Sequence, residues 1–455
     1  MFTTRIKSIL SSNLLLLLFP LLIGNGLNAQ ITKVAQSPPM GWNSYDSYGI
    51  TVKENEVLAN AGFMETHLKS FGWQYVVIDG CWYYPYPAAL NDPSQVDGFI
   101  PWLNMDKYGR LIPDIDRFPS AYNKGFKLLA DDIHRKGLKF GIHIMRGIPR
   151  QAVSINTPVK GTKYHAKDIA DTTSTCTWLN HMFGVNMDKP GAQEYYNSLF
   201  ELYASWGVDF VKVDDISSPF SEKEIIAIRN AIVNCGRPMV LSLSPGETPI
   251  KKADVVKEYA DMWRISNDFW DNWKALSKMF TLLNTWESHI GPGHFPDADM
   301  LIMGLISQRG PVGEPRRSNF TYNEQVTMMT LWSIARSPLI YGGDLSMIRP
   351  AELQLLQNKA VIEVNQNSSK NRQLFRNDDQ IAWIADVPGT GDKYLAVFNL
   401  GESSTFIRVT LQDLGFTGEC NITDLWSGVD LGKIEKAFRP EVFSHGARLF
   451  RIKQN

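Results

Sequence analysis

The sequence predicts an α/β fold: a (β/α)8 TIM barrel followed by a small C-terminal antiparallel β-sandwich. Three observations carry this. A unit of helical pattern, glycine and apolar run recurs along most of the chain, the candidate strands number eight, and past residue 367 the texture changes to short β-rich runs without helical spacing. Strand alternating with helix indicates a parallel sheet with helices outside it.

Taken in order, residues 1–29 read as a secretory signal. Arg5 and Lys7 precede an apolar run from Leu14 to Ile23, and Leu27-Asn28-Ala29 resembles a small-residue cleavage site before Gln30. The run is too short to span a bilayer comfortably. The mature protein is therefore expected to begin near Gln30 and to be secreted or periplasmic.

The barrel is expected over 30–366. Its repeating unit appears in "HLKSFGWQYVVIDG", "IHRKGLKFGIHIM", "YASWGVDFVKVDD" and "IVNCGRPMVLSLS". Gly72, Gly137, Gly207 and Gly236 sit where a helix ends in a left-handed residue. Before the first of them, Val57, Leu58, Ala61, Met64 and Leu68 recur at helical spacing. Thr51 with Glu54, and Ser221 with Glu224, fit the capping box that opens a helix. The apolar runs suit strands buried on both faces. "PPMGWNSY", "DMWRISND", "ADMLIMG" and "SPLIYGGD" complete the eight. No G-x-G-x-x-G follows the first strand, which disfavours a dinucleotide fold. Over 367–455, "QIAWIADV", "KYLAVFNL", "TFIRVTL", "ITDLWS" and "ARLFRIK" are separated by turn residues and read as the β-sandwich.

Composition narrows the partners. Net charge is −1 with 20% charged residues, so no basic face invites nucleic acid or an anionic membrane, and no membrane insertion of the mature chain is expected. Four cysteines, Cys81, Cys176, Cys235 and Cys420, have no C-x-x-C spacing and make no disulfide scaffold. Thirteen tryptophans leave room for sugar-stacking platforms, of which Trp82, Trp102 and Trp178 are candidates. The oligomeric state is not encoded in these features.

Barrel enzymes do their chemistry at the C-terminal ends of the strands. Here those ends carry Asp79, His143, Lys212, Asp214, Asp215, Ser242, Ser244, Arg264, Asp268, Asp297 and Asp299. Side chains alternate along a strand. In "DFVKVDD" the valines suit the helix layer, which turns Phe210, Lys212 and Asp214 to the lumen. The lysine favours an ionised Asp214, as a nucleophile requires. Asp215, of opposite parity, takes a structural role. Asp268, before Phe269 and Trp270, is expected in an apolar setting that raises its pKa and suits it to act as an acid. Two carboxylates in contrasting settings suggest glycoside hydrolysis.

"PPMGWNSY", "YVVIDGCW", "KGLKFGI", "WGVDFVKVD", "WRISND", "PDADML" and "LWSIARSPLIYGGDL" resemble, in order over 35–345, the motifs of glycoside hydrolase family 27, the α-galactosidase and melibiase group. The resemblance implies a retaining, exo-acting enzyme working by double displacement on oligo- or polysaccharides, with no metal and no cofactor. It places the nucleophile on Asp214 and the acid/base on Asp268. It places sugar hydroxyls on Asp79, Lys212, Arg264 and Asp299. Tyr45 stands where the family often has a pocket tryptophan, and His143 where a tyrosine is usual. Trp82 and Ser244 are further substrate-binding candidates.

The departures concern the sugar. Asp79-Gly80-Cys81-Trp82 replaces Asp-Asp-Cys-Trp, so Gly80 removes a contact to the sugar's outer hydroxyls and opens space. "LSLSPG" replaces the motif that separates galactose from N-acetylgalactosamine. The expected activity is α-galactosidase. A relative acting on α-glucan ends (isomaltodextranase-like) or on β-L-arabinopyranosides is the alternative. A non-catalytic sugar-binding protein and a metal-dependent hydrolase are the rival classes. Loops 83–120 and 147–187 are expected to close over the pocket or add subsites.

Overall fold

The computed structural model describes residues 1, 34–85, 102–310 and 312–454. The expected signal segment lies outside the described residues, Met1 excepted, as does part of the loop 83–120.

Eight parallel strands form one sheet in the order Phe295–Asp297, Met262–Arg264, Val240–Leu243, Phe210–Asp214, Lys139–Met145, Tyr75–Ile78, Met40–Asn43, Leu339–Tyr341. The ends meet through Leu301, which bridges Tyr341 in parallel and donates its N–H to the Ile340 carbonyl at 2.7 Å. The barrel is thus closed. "ADMLIMG" is not the seventh strand, which lies just before it at Phe295–Asp297. Asp299 has φ +80, a left-handed turn that an extended strand cannot contain. The segment still supplies the closing residue.

Gly72, Gly137, Gly207 and Gly236 all have positive φ, as helix ends of this kind require. The capping boxes differ from expectation. The helix Glu54–His67 begins two residues later than Thr51 predicted its cap, and Glu56 accepts the Lys53 N–H at 2.9 Å. Thr51 instead donates to the Tyr48 carbonyl. Ser221 does precede the helix Glu222–Asn234, but its side chain makes no cap bond. Glu224 is drawn inward by Arg146, whose Nη1 lies 2.7 Å away.

The lumen follows the alternation rule. Toward the N-terminal end it is filled by Tyr75, Val77, Phe210, Val240, Met262 and Phe295. Two residues further along the same faces stand the polar side chains of the opposite rim. Val211 and Val213 point the other way and are fully buried beneath the helices.

After the barrel, six antiparallel strands run in the order Ser369–Asn377, Gln380–Asp386, Lys393–Asn399, Ala447–Gln454, Cys420–Asp424, Asp430–Ile434. Two short ribbons, Thr405–Phe406 with Glu441–Val442 and Val409–Thr410 with Ala437–Phe438, form the second layer. One face of the sheet (Ala382, Ile384, Leu395, Val397, Phe450, Ile452) packs within the sandwich. The other (Ile381, Trp383, Ala396, Phe398, Leu449) joins the barrel core. Phe398 meets Phe280 of the helix Trp273–Trp286 edge to face at 4.9 Å. The sandwich covers one flank of the barrel and leaves the rim open.

Candidate active site

A cavity of about 1100 Å³ opens at the C-terminal rim. Tyr45, Asp79, His143, Lys212, Asp214, Ser244, Arg264, Asp268 and Asp299 all line it. The barrel brings these together from seven strand ends spread over more than half the chain.

Asp79 anchors the floor. Its Oδ2 accepts from Asn43 Nδ2 at 2.7 Å and from Lys212 Nζ at 2.9 Å. Burial by itself would raise its pKa, but Lys212, His143 and these hydrogen bonds outweigh burial and hold it well below the usual range. Lys212 is opposed by burial too, yet Asp79, Asp214 and Asp299 keep it charged, with its pKa raised. Its Nζ also lies 5.9 Å from the Tyr45 ring centroid, a cation–π contact.

Asp214 is buried. Its Oδ2 stands 3.0 Å from His143 Nε2, which donates to the carboxylate, and its Oδ1 accepts the Asp215 N–H at 3.2 Å. Burial works against ionisation, while the His143 hydrogen bond and the charges of His143 and Lys212 prevail and lower its pKa. The parity argument therefore holds for Lys212 and Asp214. Asp215 turns out of the lumen with φ +58 and pairs with Arg146 at 2.7 Å. Arg146 also donates to the Asp215 carbonyl at 2.7 Å and reaches Glu224, which in turn takes the Tyr196 hydroxyl. This buried cluster braces the strand end that carries Asp214.

Across the cavity, Arg264 sits 2.7 Å from Asp299 and 3.3 Å from Asp268. Asp299 Oδ2 also accepts the Phe269 N–H at 2.8 Å. Asp268 is not in the apolar setting expected of it. Its side chain is 59% exposed. Phe269 turns instead into the core against Phe320 and Trp332.

Trp82 does not line the cavity, and its assignment as a sugar contact is corrected. It is fully buried, packs edge-on against Tyr83, Phe126 and Trp206, and donates Nε1–H to the His143 carbonyl at 2.7 Å. A ring that the core encloses on all sides cannot stack on a ligand. Its carbonyl bond instead fixes the strand bearing His143. Trp102 is 71% exposed and lies away from the cavity, whereas Trp178 lines it. None of the four cysteines, all among the described residues, is joined in a disulfide.

Sequence reasoning passed over Asn43, Asp46 and Ile50. Asn43 ends the first strand on the lumen side, a signal that was available, and holds both Asp79 and the Tyr45 N–H. Asp46 is buried with Oδ2 unpartnered, and burial, then repulsion from Asp299, raises its pKa well above normal. Ile50 lies 3.8 Å from where a Cβ on Gly80 would stand, beside the His143 ring at 3.7 Å. Nothing local in the sequence marks Ile50.

Known proteins share this sequence pattern and fold. A family model described as α-galactosidase A matches residues 182–367, and one for the α-galactosidase C-terminal β-sandwich domain matches 377–452. The α-galactosidase of Cyamopsis tetragonoloba is 28% identical over 92% of this chain and 86% of its own. The family 27 β-L-arabinopyranosidase of Geobacillus stearothermophilus is 49% identical, with a TM-score of 0.89 covering 92% of this chain and 97% of that one. α-Galactosidase I of Mortierella vinacea, at 23% identity and TM-score 0.71, shares the fold over 92% of this chain and 97% of its own. Barrel, rim carboxylates and relatives together define a glycosidase. The chain belongs to glycoside hydrolase family 27.

Burial pushes Asp297, beneath Arg264, up to about 6 from its usual 3.8. Folded protein therefore keeps a proton that unfolded chain has released, and wild-type stability falls across that window as pH rises. Relative to wild type, Asp297→Asn should gain stability from about pH 4 to about pH 6 and gain nothing further above it. Urea denaturation at several pH values measures the difference, and a pH-independent difference would contradict the assignment.

Proposed function

We propose that this family 27 enzyme is an exo-acting, retaining glycosidase for a terminal pyranose of galacto configuration, with β-L-arabinopyranosides its better substrates and α-D-galactosides accepted less well. β-L-Arabinopyranose has the ring stereochemistry of α-D-galactopyranose and lacks only the hydroxymethyl group on C5. The observation that carries the choice is the wall at Gly80. Where the family's second aspartate takes outer hydroxyls, this chain has no side chain, and the methyl of Ile50 stands 3.8 Å from the missing Cβ. The wall there is the Ile50 methyl together with the His143 ring, whose Nδ1 lies 3.8 Å from the same point. The methyl gives a hydroxymethyl group no hydrogen-bond partner and desolvates it on that side without compensation. The 49% identity to the Geobacillus stearothermophilus β-L-arabinopyranosidase points the same way.

In this reading Asp214 is the nucleophile. His143 and Lys212 keep it ionised, and it attacks C1 to form a glycosyl ester. Asp268, at the cavity mouth beside Arg264, protonates the departing oxygen and then takes a proton from the water that cleaves the ester. Asp79 and Lys212 hold the outer ring hydroxyls, and Arg264 with Asp299 holds those nearer C1. The pattern over 1–29 supports export, so that the mature enzyme works as a secreted or periplasmic protein. N-terminal sequencing of the exported protein should read from about Gln30.

Asp214→Ala should reduce kcat by about 10⁴-fold or more. Azide should partly restore turnover as a glycosyl azide, and an active variant without azide would remove Asp214 from the role. Among nitrophenyl glycosides, the β-L-arabinopyranoside should exceed the α-D-galactoside in kcat/KM by about tenfold or more, with the α-glucoside and α-N-acetylgalactosaminide lower still. Gly80→Asp should move the ratio toward the galactoside. A wild-type enzyme preferring the galactoside would overturn the choice of sugar but leave the glycosidase reading intact.

A further inference from the structure

Exposure along the cavity is graded. Asp79, His143 and Asp214 are buried at its closed end, at 2%, 2% and 8%. Asp268 and Trp178 stand at the mouth, with Trp178 39% exposed. An exo-acting enzyme that buries the terminal sugar at the floor has only one direction in which the rest of the substrate can lie. At about 1100 Å³ the cavity is also far larger than one pyranose ring fills.

Trp178 sits on the turn between the strands Ala170–Thr175 and Met182–Val185, inside the insertion 147–187. The turn is pinned. Thr175 Oγ1 donates to the Met182 carbonyl at 3.0 Å, Tyr83 bonds His181 Nε2 at 2.7 Å, and the Arg150 N–H reaches the His181 carbonyl at 2.9 Å. Cys176 and Leu179, on either side, are buried. A large apolar ring is therefore held out in the substrate cavity while Cys176 and Leu179 are tucked in. Asn267 and Ser218 line the same cavity and offer polar groups. Indole faces suit the C–H face of a sugar ring, which combines apolar contact with a polar rim.

We propose that Trp178 is the platform of an aglycone subsite, stacking on the sugar bonded to the scissile oxygen, so that the enzyme favours glycosides whose leaving group is itself a saccharide. The inference rests on the glycosidase reading above.

The test compares two substrates with the same glycone in full-length wild type, Trp178→Ala and Trp178→Phe. One is a disaccharide with galactose as leaving group, and the other is the glycosyl fluoride, whose leaving group is too small to stack. Trp178→Ala should lower kcat/KM for the disaccharide about tenfold and leave the fluoride within about twofold, with Trp178→Phe between. Equal losses on both substrates, or no loss on either, would overturn the subsite. A second readout uses wild type directly, with the fluoride as donor and free galactose as acceptor. The acceptor hydroxyl replaces water in attacking C1, the bond to Asp214 breaks, and the proton passes to Asp268. Wild type should form disaccharide, and Trp178→Phe should lower the ratio of transfer to hydrolysis. Hydrolysis alone in wild type would count against the proposal. If wild type cleaves neither substrate, the glycosidase reading has failed instead.

Discussion

The ammonium of Lys212 is the charge around which the rim is organised. It lies within the barrel, 2.9 Å from Asp79, and its field also reaches Asp214 and Asp299. Removing a lysine from water costs several kcal/mol, recovered only where carboxylates surround it in good geometry. Satisfying the lysine therefore forces acids to gather at this depth. Asp79 and Asp214 become the ionised pair. At Asp46 and Asp297 Lys212 also acts, but burial outweighs it and, with the repulsion of Asp299, pushes both toward their protonated forms. Lys212 and His143 together thus hold Asp79 and Asp214 ionised, while burial prevails at Asp46, Asp297 and Asp299.

That electrostatic set needs a rigid frame. The apolar plug of Tyr75, Val77, Phe210 and Phe295 closes the lumen beneath it, so water reaches the acids from the rim side alone. Arg146 clamps the turn after Asp214 by bonding both the carbonyl and the carboxylate of Asp215, and Glu224 and Tyr196 complete a cluster buried from solvent. Buried pairs of this kind do little for net stability but leave few alternative arrangements, because any displaced member would be an unpaired charge. An ion-pair network, Arg146 with Asp215 and Glu224, stands at the turn after the strand Phe210–Asp214.

The β-sandwich contributes by packing. Its sheet is apolar on both faces, one inside the sandwich and one against the barrel helices. Polar contacts at the seam add orientation: Trp426 Nε1 donates to Thr330 Oγ1 at 2.9 Å, and His445 stacks on Trp273 at 3.8 Å while bonding Glu324. None of these residues lines the cavity, which the barrel and its own insertions build.

Much of this was legible in the sequence because it depends on local periodicity. Eight apolar runs, the glycines ending four helices and the alternation in "DFVKVDD" set the barrel and sent Lys212 and Asp214 inward, since strand parity is a property of neighbouring residues alone. What the chain cannot show locally is which distant groups meet. Trp82 reads as a stacking platform but is core, because Phe126 and Trp206 arrive from two other elements to enclose it. Asp268 reads as sheltered by Phe269 and Trp270 but is exposed, because Phe269 finds its place against Phe320 and Trp332. The Gly80 wall is set by Ile50 and His143, from three separate segments of chain. Secondary structure and facing follow from near neighbours. Burial, charge compensation and the shape of the sugar pocket follow from contacts across the fold, which only the closed barrel creates.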